Sequence, residues 1–463
     1  MDLPLPLLDR EVERAEAQAR AAREALFREG PAGANAHFDA NRIAYLKNTQ
    51  NPLENARRVS SKASFEELTE RSSGDPIAAG LRAWVYALTL ERVLWNDTVR
   101  LAAAWHEETV ELYEPEPARL SARSILTRLL AETSKGRRRA FASGLASGAG
   151  RVADAAHILA ERRAEASRLL NVPNPDDLEI PLDPPSAVGS IADRLLAITD
   201  PFVRDATAGA SSWDDVVARA LARDASSGWP ARLSPRWIQD HLRPSKLTEG
   251  LAIDLGPLPE PRGATSFALA FARFGRAFAE AALPHGAPFS LARPPFELRA
   301  SRRSALFASL LADPVFGVYA LGLSRDRARE QARSIARGLA VSLRLTAAKV
   351  RLRGSLNLPL ARRRERLEEE THRALGSPIP GSLAGVVPSL SPRDPADLLG
   401  YILAARDRRD LIERFDEDWF RSPHAARALR EEQAVLPASP RATEASVLEA
   451  MKDLERALEA VLV

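Results

Sequence analysis

The chain has 463 residues, 45% of them hydrophobic, so it can bury a large core, and length alone allows about three domains. It has no cysteine, which excludes a disulfide framework, a thiolate zinc site and a cysteine nucleophile. The formal net charge is +3, with charges interspersed, and only six of the 65 basic residues are lysine (Lys47, Lys62, Lys135, Lys246, Lys349 and Lys452). Such an arginine-rich balance suits a salt-bridged helical surface better than a nucleic-acid face.

The opening, MDLPLPLLDREVERAEAQAR, lacks a basic segment followed by an apolar core, so no secretory signal is expected. No stretch reaches the ~18 uncharged apolar residues of a membrane span. The expected location is the cytoplasm, with no membrane partner. Residues 10 to 27 read as a polar amphipathic helix, broken by GPAGANAH, and Asn41 to Ser60 as a loop. SFEELTER suggests a capping box at Ser64 and Glu67. Pro76 to His106 reads as a long helix anchored by Trp84, Leu88, Val93, Trp95 and Leu101, followed by helices over Ser121 to Glu132 and Ala140 to Leu170. LNVPNPDDLEIPLDPPS then interrupts with five prolines. This places the boundary between an N-terminal helical lobe (1–175) and a second lobe (176–463).

Beyond it, SAVGSIADRLLAITDPFVRDA and SWDDVVARALARDA are helical, and WPARLSPRWIQDHLRPSK is a broken helix. LAIDLGPLPEPRG carries a short strand signal around Leu251 to Leu255. Gly263 to Pro284 follows, with Phe267, Ala270, Phe271, Phe274, Ala277, Phe278 and Ala281 at helical spacing, Thr265 or Ser266 as caps, and a stop at Pro284 and Gly286. His285 to Arg299 is irregular with possible short strands. Helices are expected over Ala300–Leu321, Arg325–Leu352, Leu360–Leu375, Ala396–Phe415, Pro423–Val435 and Thr443–Val463. No repeat of a solenoid period is present. The class is mainly α with at most a small sheet.

Three segments carry a family resemblance: GPLPEPRGATSFALAFARFGRAF (Gly256 to Phe278), SALFASLLADPVF (Ser304 to Phe316) and LLGYILAARDRRDLIERFDEDWFRSPHAARALRE (Leu398 to Glu431). In this order and spacing they resemble the thimet oligopeptidase and oligoendopeptidase F type of zinc peptidases, with a weaker match at AAKVRLRGSL (Ala347 to Leu356). The resemblance implies a two-lobed helical clamshell, with a small β-sheet beside the former active-site helix. It also implies H-E-x-x-H on that helix, with a third ligand from a later one.

Two histidines one turn apart would face zinc, and the intervening glutamate would activate its water. On this sequence the first histidine falls at Ala272, the general base at Arg273, the second histidine at Arg276 and the third ligand near Ser301. Alanine has no donor atom, and arginine stays protonated. The resemblance therefore implies a scaffold without its metal, and no cofactor is expected. The histidines (His37, His106, His157, His241, His285, His372 and His424) include no pair at i and i+3 or i+4, and His106-Glu107-Glu108-Thr109-Val110 ends in valine.

Candidate cleft residues for peptide binding are Arg273, Arg276, His285 and Tyr401. The bland reading makes the two arginines surface residues paired with acids such as Glu280, and Tyr401 a packing residue. KGRRRA and ARRRERLEEE lack interleaved aromatics and read as solvated faces, so no nucleic acid is expected. There is no GxxxxGK[ST], no GxGxxG after a strand and no GxSxG. The functional expectation is an inactive pseudo-metallopeptidase that binds peptides or partners an active paralogue. The alternatives are an α-helical scaffold or interaction protein without peptidase ancestry, and an enzyme with a rearranged site.

Overall fold

A computed structural model describes residues 4–40, 51–112, 118–207, 210, 212–220, 229, 234–256, 258, 264–436 and 441–462. The architecture is mainly α. Among the described residues no single helix is long and apolar enough to cross a membrane. Strands form two small pairs, antiparallel β1 (Thr109–Leu112) with β2 (Ala118–Ser121) and parallel β3 (Leu182–Asp183) with β4 (Ala442–Thr443).

The predicted edge strand at Leu251 to Leu255 is a correction: this segment is irregular and pairs with no strand among the described residues. Gly250 and Gly256 at its ends take φ of 74° and 53°, so the chain turns before a ladder can extend. The short strands expected between His285 and Arg299 are likewise replaced, by one helical turn, α12 (Phe289–Ala292).

Local chemistry sets the first helices. In α1 (Leu5–Ala40) Gly30, at φ 78°, and Pro31 kink the helix where a break is predicted. Ser61 caps α2 (Lys62–Arg71), with Ser64 already inside it. Asp75 accepts the Ile77 and Ala78 N–H groups (2.8 and 3.3 Å) to start α3 (Pro76–Glu107), with Pro76 at the first helical position. After α4 (Ala122–Ala131), the helix expected over Ala140 to Leu170 is two, α5 (Lys135–Gly148) and α6 (Gly150–Leu169). The carboxylate of Glu108, one residue past α3, accepts the N–H groups of Arg151 and Val152 at 3.0 Å and so caps α6 from outside.

The later helices are α7 (Asp176–Glu179), α8 (Val188–Thr207), α9 (Trp213–Ala220), α10 (Pro235–Leu242), α11 (Ala264–Ala281), α13 (Leu298–Ser309) and α14 (Pro314–Leu321). They are followed by α15 (Arg325–Arg353), α16 (Leu360–Leu375), α17 (Asp394–Phe415), α18 (Pro423–Ala434) and α19 (Glu444–Leu462). Because α11 begins at Ala264, Thr265 and Ser266 lie in its first turn rather than capping it.

One apolar core joins Val110, Leu145 and Val152 to Leu195, Ala347, Leu399 and Met451, so it spans both sides of the proline-rich stretch. A second is aromatic and surrounds α11. A third holds α1, α2 and α3 together and takes in Phe289. Polar ties run between these regions. Asp9 accepts the N–H groups of Phe289 and Ser290 at 2.6 and 2.9 Å, and the Trp84 indole donates to the Arg293 carbonyl at 2.8 Å.

A buried tie centres on Glu179, 1% exposed, which meets Arg163 of α6 at 2.6 Å, Arg353 of α15 at 2.8 Å and the Tyr86 hydroxyl of α3 at 3.0 Å. Burial alone would raise its pKa, but the two guanidinium groups outweigh burial and hold it below the usual glutamate value. A carboxylate depressed in this way stabilises the fold above its unfolded pKa. That contribution is lost as pH falls through the lower folded value. Glu179→Ala leaves two arginines without their shared acid and is expected to cost about 3–5 kcal/mol at neutral pH. Urea unfolding at pH 7 checks this, and the gap to the parent protein should narrow on acidification below about pH 4.

Candidate functional site

The site forms where α13 runs between α11 and α17. On α11 the apolar face is fully buried: Phe267, Phe271, Phe274 and Phe278 are each 0% exposed. Phe274 meets Phe307 edge-on at 4.8 Å, Phe271 meets Phe316 at 5.4 Å, and Phe307 continues the contact to Trp419 at 6.0 Å. With that face committed inward, Ala272, Arg273, Arg276 and Glu280 stay partly exposed on the remaining surface.

Two glycines set the helix spacing. A Cβ on Gly275 would lie 2.3 Å from the Arg303 carbonyl oxygen, and one on Gly400 would lie 2.8 Å from the Ser301 carbonyl carbon. Backbone therefore meets backbone at both crossings. Arg276 is one residue past the first and Ser301 stands at the second, so the expected site positions on α11 and α13 reach the same three-helix junction.

Arg273 is not available to substrate. Its Nη1 donates to the Leu255 carbonyl and its guanidinium sits over Gly256, where an added Cβ would be 3.0 Å from Nη1. Burial lowers its pKa, while Asp254 counters that shift. The carbonyl expected in a sheet is thus satisfied by the Arg273 side chain. Ser301 is 3% exposed, and its hydroxyl donates to Asp397 Oδ1 at 2.7 Å.

Arg276 corrects the surface-pair expectation: it forms no ion pair with Glu280 and makes no hydrogen bond or ion pair among the described residues. It does lie close enough to Arg393 to disfavour charge there, after the larger effect of burial. Tyr401 stands one turn beyond Asp397, and burial, then that carboxylate, push its hydroxyl up to about 12. His285 lies apart, exposed in the turn after α11.

Sequence reasoning missed Glu297, Arg299, Arg393 and Asp397. Glu297 pairs with Arg299 at 3.3 Å, and burial raises its pKa against the opposing pull of Arg299 and Arg393. Arg393 reaches the Pro295 carbonyl at 3.4 Å. Asp397 was readable as a same-face neighbour of Tyr401, four residues on. The others sit at helix starts, Glu297 just before α13, Arg299 in its first turn and Arg393 just before α17, where no periodicity marks a face. All retain partial exposure, as do Arg276 and Tyr401.

Two spaces lie away from these residues. One is a cavity of about 50 Å³ beside His157, Leu356 and Leu367, and the other a groove of about 690 Å³ along α6 bounded by Ile158, Arg168 and Pro173.

A zinc ion does not fit these residues. It takes imidazole, carboxylate or thiolate donors, and Ala272, Arg273, Arg276 and Ser301 offer none. Among the described residues, no group of three or more His, Cys, Asp or Glu could hold a metal ion. Gly275→Ala is expected to push α11 off α13 and to lower the unfolding free energy by about 1–3 kcal/mol, read from denaturant unfolding.

No family model matches the chain, and no curated protein matches it. Solved structures do match its fold. Metallocarboxypeptidase 1 of Trypanosoma cruzi aligns with a TM-score of 0.57 and 13% identity, over 99% of this chain and 98% of that one. BsuCP aligns at 0.53 and 12%, over 99% and 98%. PZ peptidase A with a bound inhibitor aligns more loosely, at 0.47 and 11%, over 97% of both. From end to end this chain has the mainly α fold seen in the Trypanosoma cruzi metallocarboxypeptidase.

Proposed function

We propose that this chain is a pseudo-metallopeptidase: a protein on a metallopeptidase scaffold that acts by holding a peptide, or an active paralogous peptidase, rather than by hydrolysis. The observation that carries the reading is the re-employment of the expected catalytic positions. Arg273 anchors the Leu255 carbonyl, and Ser301 is tied to Asp397. Ala272 has no donor, and Arg276 places a permanent cation where a zinc ligand would stand. Replacing the ligands removes both the Lewis acid and the base that would activate water.

Fold likeness over nearly the whole chain supports the scaffold half of the reading and disfavours a helical protein of unrelated ancestry.

Metal analysis of the purified protein, with hydrolysis of a mixed peptide library, tests the reading. The expected result is no stoichiometric zinc, and no cleavage with or without added zinc. Stoichiometric zinc together with cleavage that a chelator abolishes would overturn it.

A further inference from the structure

The cavity of about 50 Å³ between α6 and α16 has apolar walls and a cation at its edge. Ala156 and Ala160 of α6, Leu352 of α15, Leu360 and Leu367 of α16, and Leu390 line it. Gly385, at φ 82°, brings the loop before α17 against α6: a Cβ there would lie 2.9 Å from the Ala156 Cβ. The cavity has room for roughly three to five water-sized groups at about 10–15 Å³ each, but its mostly apolar lining offers water few hydrogen bonds. Ala156, Ala160 and Leu360 keep partial exposure and Gly385 is exposed, so solvent reaches the rim.

The groove of about 690 Å³ along α6 shares Leu356 and Arg363 with this cavity. Arg363 is 8% exposed. Its Nε donates to the Leu358 carbonyl at 2.8 Å, and its Nη2 to the Leu356 carbonyl. Its Nη1 makes no hydrogen bond or ion pair among the described residues. Glu161, the acid that acts on Arg363 through space, is engaged by His157 Nε2 at 3.3 Å. On the cavity wall, His157 Nδ1 is also buried without a partner. A buried polar atom left unpaired costs its desolvation, and native proteins leave few of them. The other charges of the groove, Arg162, Glu165 and Arg168, are exposed, where salt screens them.

An open guanidinium arm at the edge of an apolar hole matches a ligand with an anionic head and a short hydrocarbon tail. The head would complete Arg363, and each methylene buried in the cavity would add affinity. We propose that Arg363 and the adjoining cavity bind an aliphatic anion of the medium-chain fatty-acid type, its head on Arg363 beside His157 and its tail between α6 and α16. The site uses no residue of α11 and does not depend on the non-catalytic reading above.

Isothermal titration calorimetry with the full-length protein tests the proposal, using sodium octanoate, 1-octanol and sodium acetate. Octanoate is expected to bind at one saturable site. Octanol, which has the tail without the charge, should bind at least about tenfold more weakly. Acetate, which has the charge without the tail, should give no saturable heat.

Arg363→Gln is expected to weaken octanoate binding by about tenfold or more. Ala160→Leu, which fills the cavity from α6, should weaken it by at least as much. Arg362→Gln, on an exposed pair with Glu365, should leave it unchanged. Circular dichroism and urea unfolding confirm that each variant is folded. Because Arg363 also holds two carbonyls, the octanoate-to-octanol ratio and Ala160→Leu decide the matter should Arg363→Gln fail to fold. Absence of saturable octanoate binding, equal affinity for octanol, or unaltered binding by folded Ala160→Leu would overturn the proposal.

Discussion

The site depends on one close approach: α13 lies between α11 and α17 at backbone contact. Gly275 and Gly400 permit it, since a methyl group at either would collide with α13. Once the three backbones are this near, the side chains flanking the crossings must share one small volume. Ser301 and Asp397 become hydrogen-bonded neighbours for that reason, although 96 positions separate them in the sequence (397 minus 301).

The same helix is held by charge on its other side. Asp407 of α17 receives Arg302 Nε at 2.6 Å and Arg303 Nη1 at 2.8 Å, and Glu432 of α18 receives Arg303 Nη2 at 2.8 Å. Arg303 is 2% exposed, so its charge is compatible with burial only because these acids are fixed opposite it. The aromatic core beneath α11 and this ion cluster beside α13 hold the junction without a metal ion. Arg273 has become a clip for the chain that precedes α11, and Ser301 a hydrogen-bond donor to α17.

Helical character was legible because it is local. The phenylalanine spacing of α11 and the start of α3 at Pro76 write a helix face and a helix start into the sequence, whereas the helix expected over Ala300–Leu321 breaks at Asp313, which caps a new helix from Pro314. The failures are also local in origin. Leu251 to Leu255 has the composition of a strand, but a strand exists only through its partner, and here the partner of the Leu255 carbonyl is an arginine side chain. The β1–β2 hairpin went unseen because its packing on α5, where Val110 fills the space that Gly148 leaves, is a tertiary contact.

By itself the sequence determined the mainly α class and the core-facing side of α11. It also determined the absence of zinc donors at Ala272, Arg273, Arg276 and Ser301, because donor chemistry is a property of the residue and does not depend on where the residue is placed. Only the tertiary structure decided which arginine is spent and which is free. Arg273 and Arg276 are alike in type and three residues apart, yet one is consumed by a backbone carbonyl and the other makes no hydrogen bond or ion pair among the described residues. That difference is set by which chain segments lie opposite each side of α11, and those segments come from distant parts of the chain.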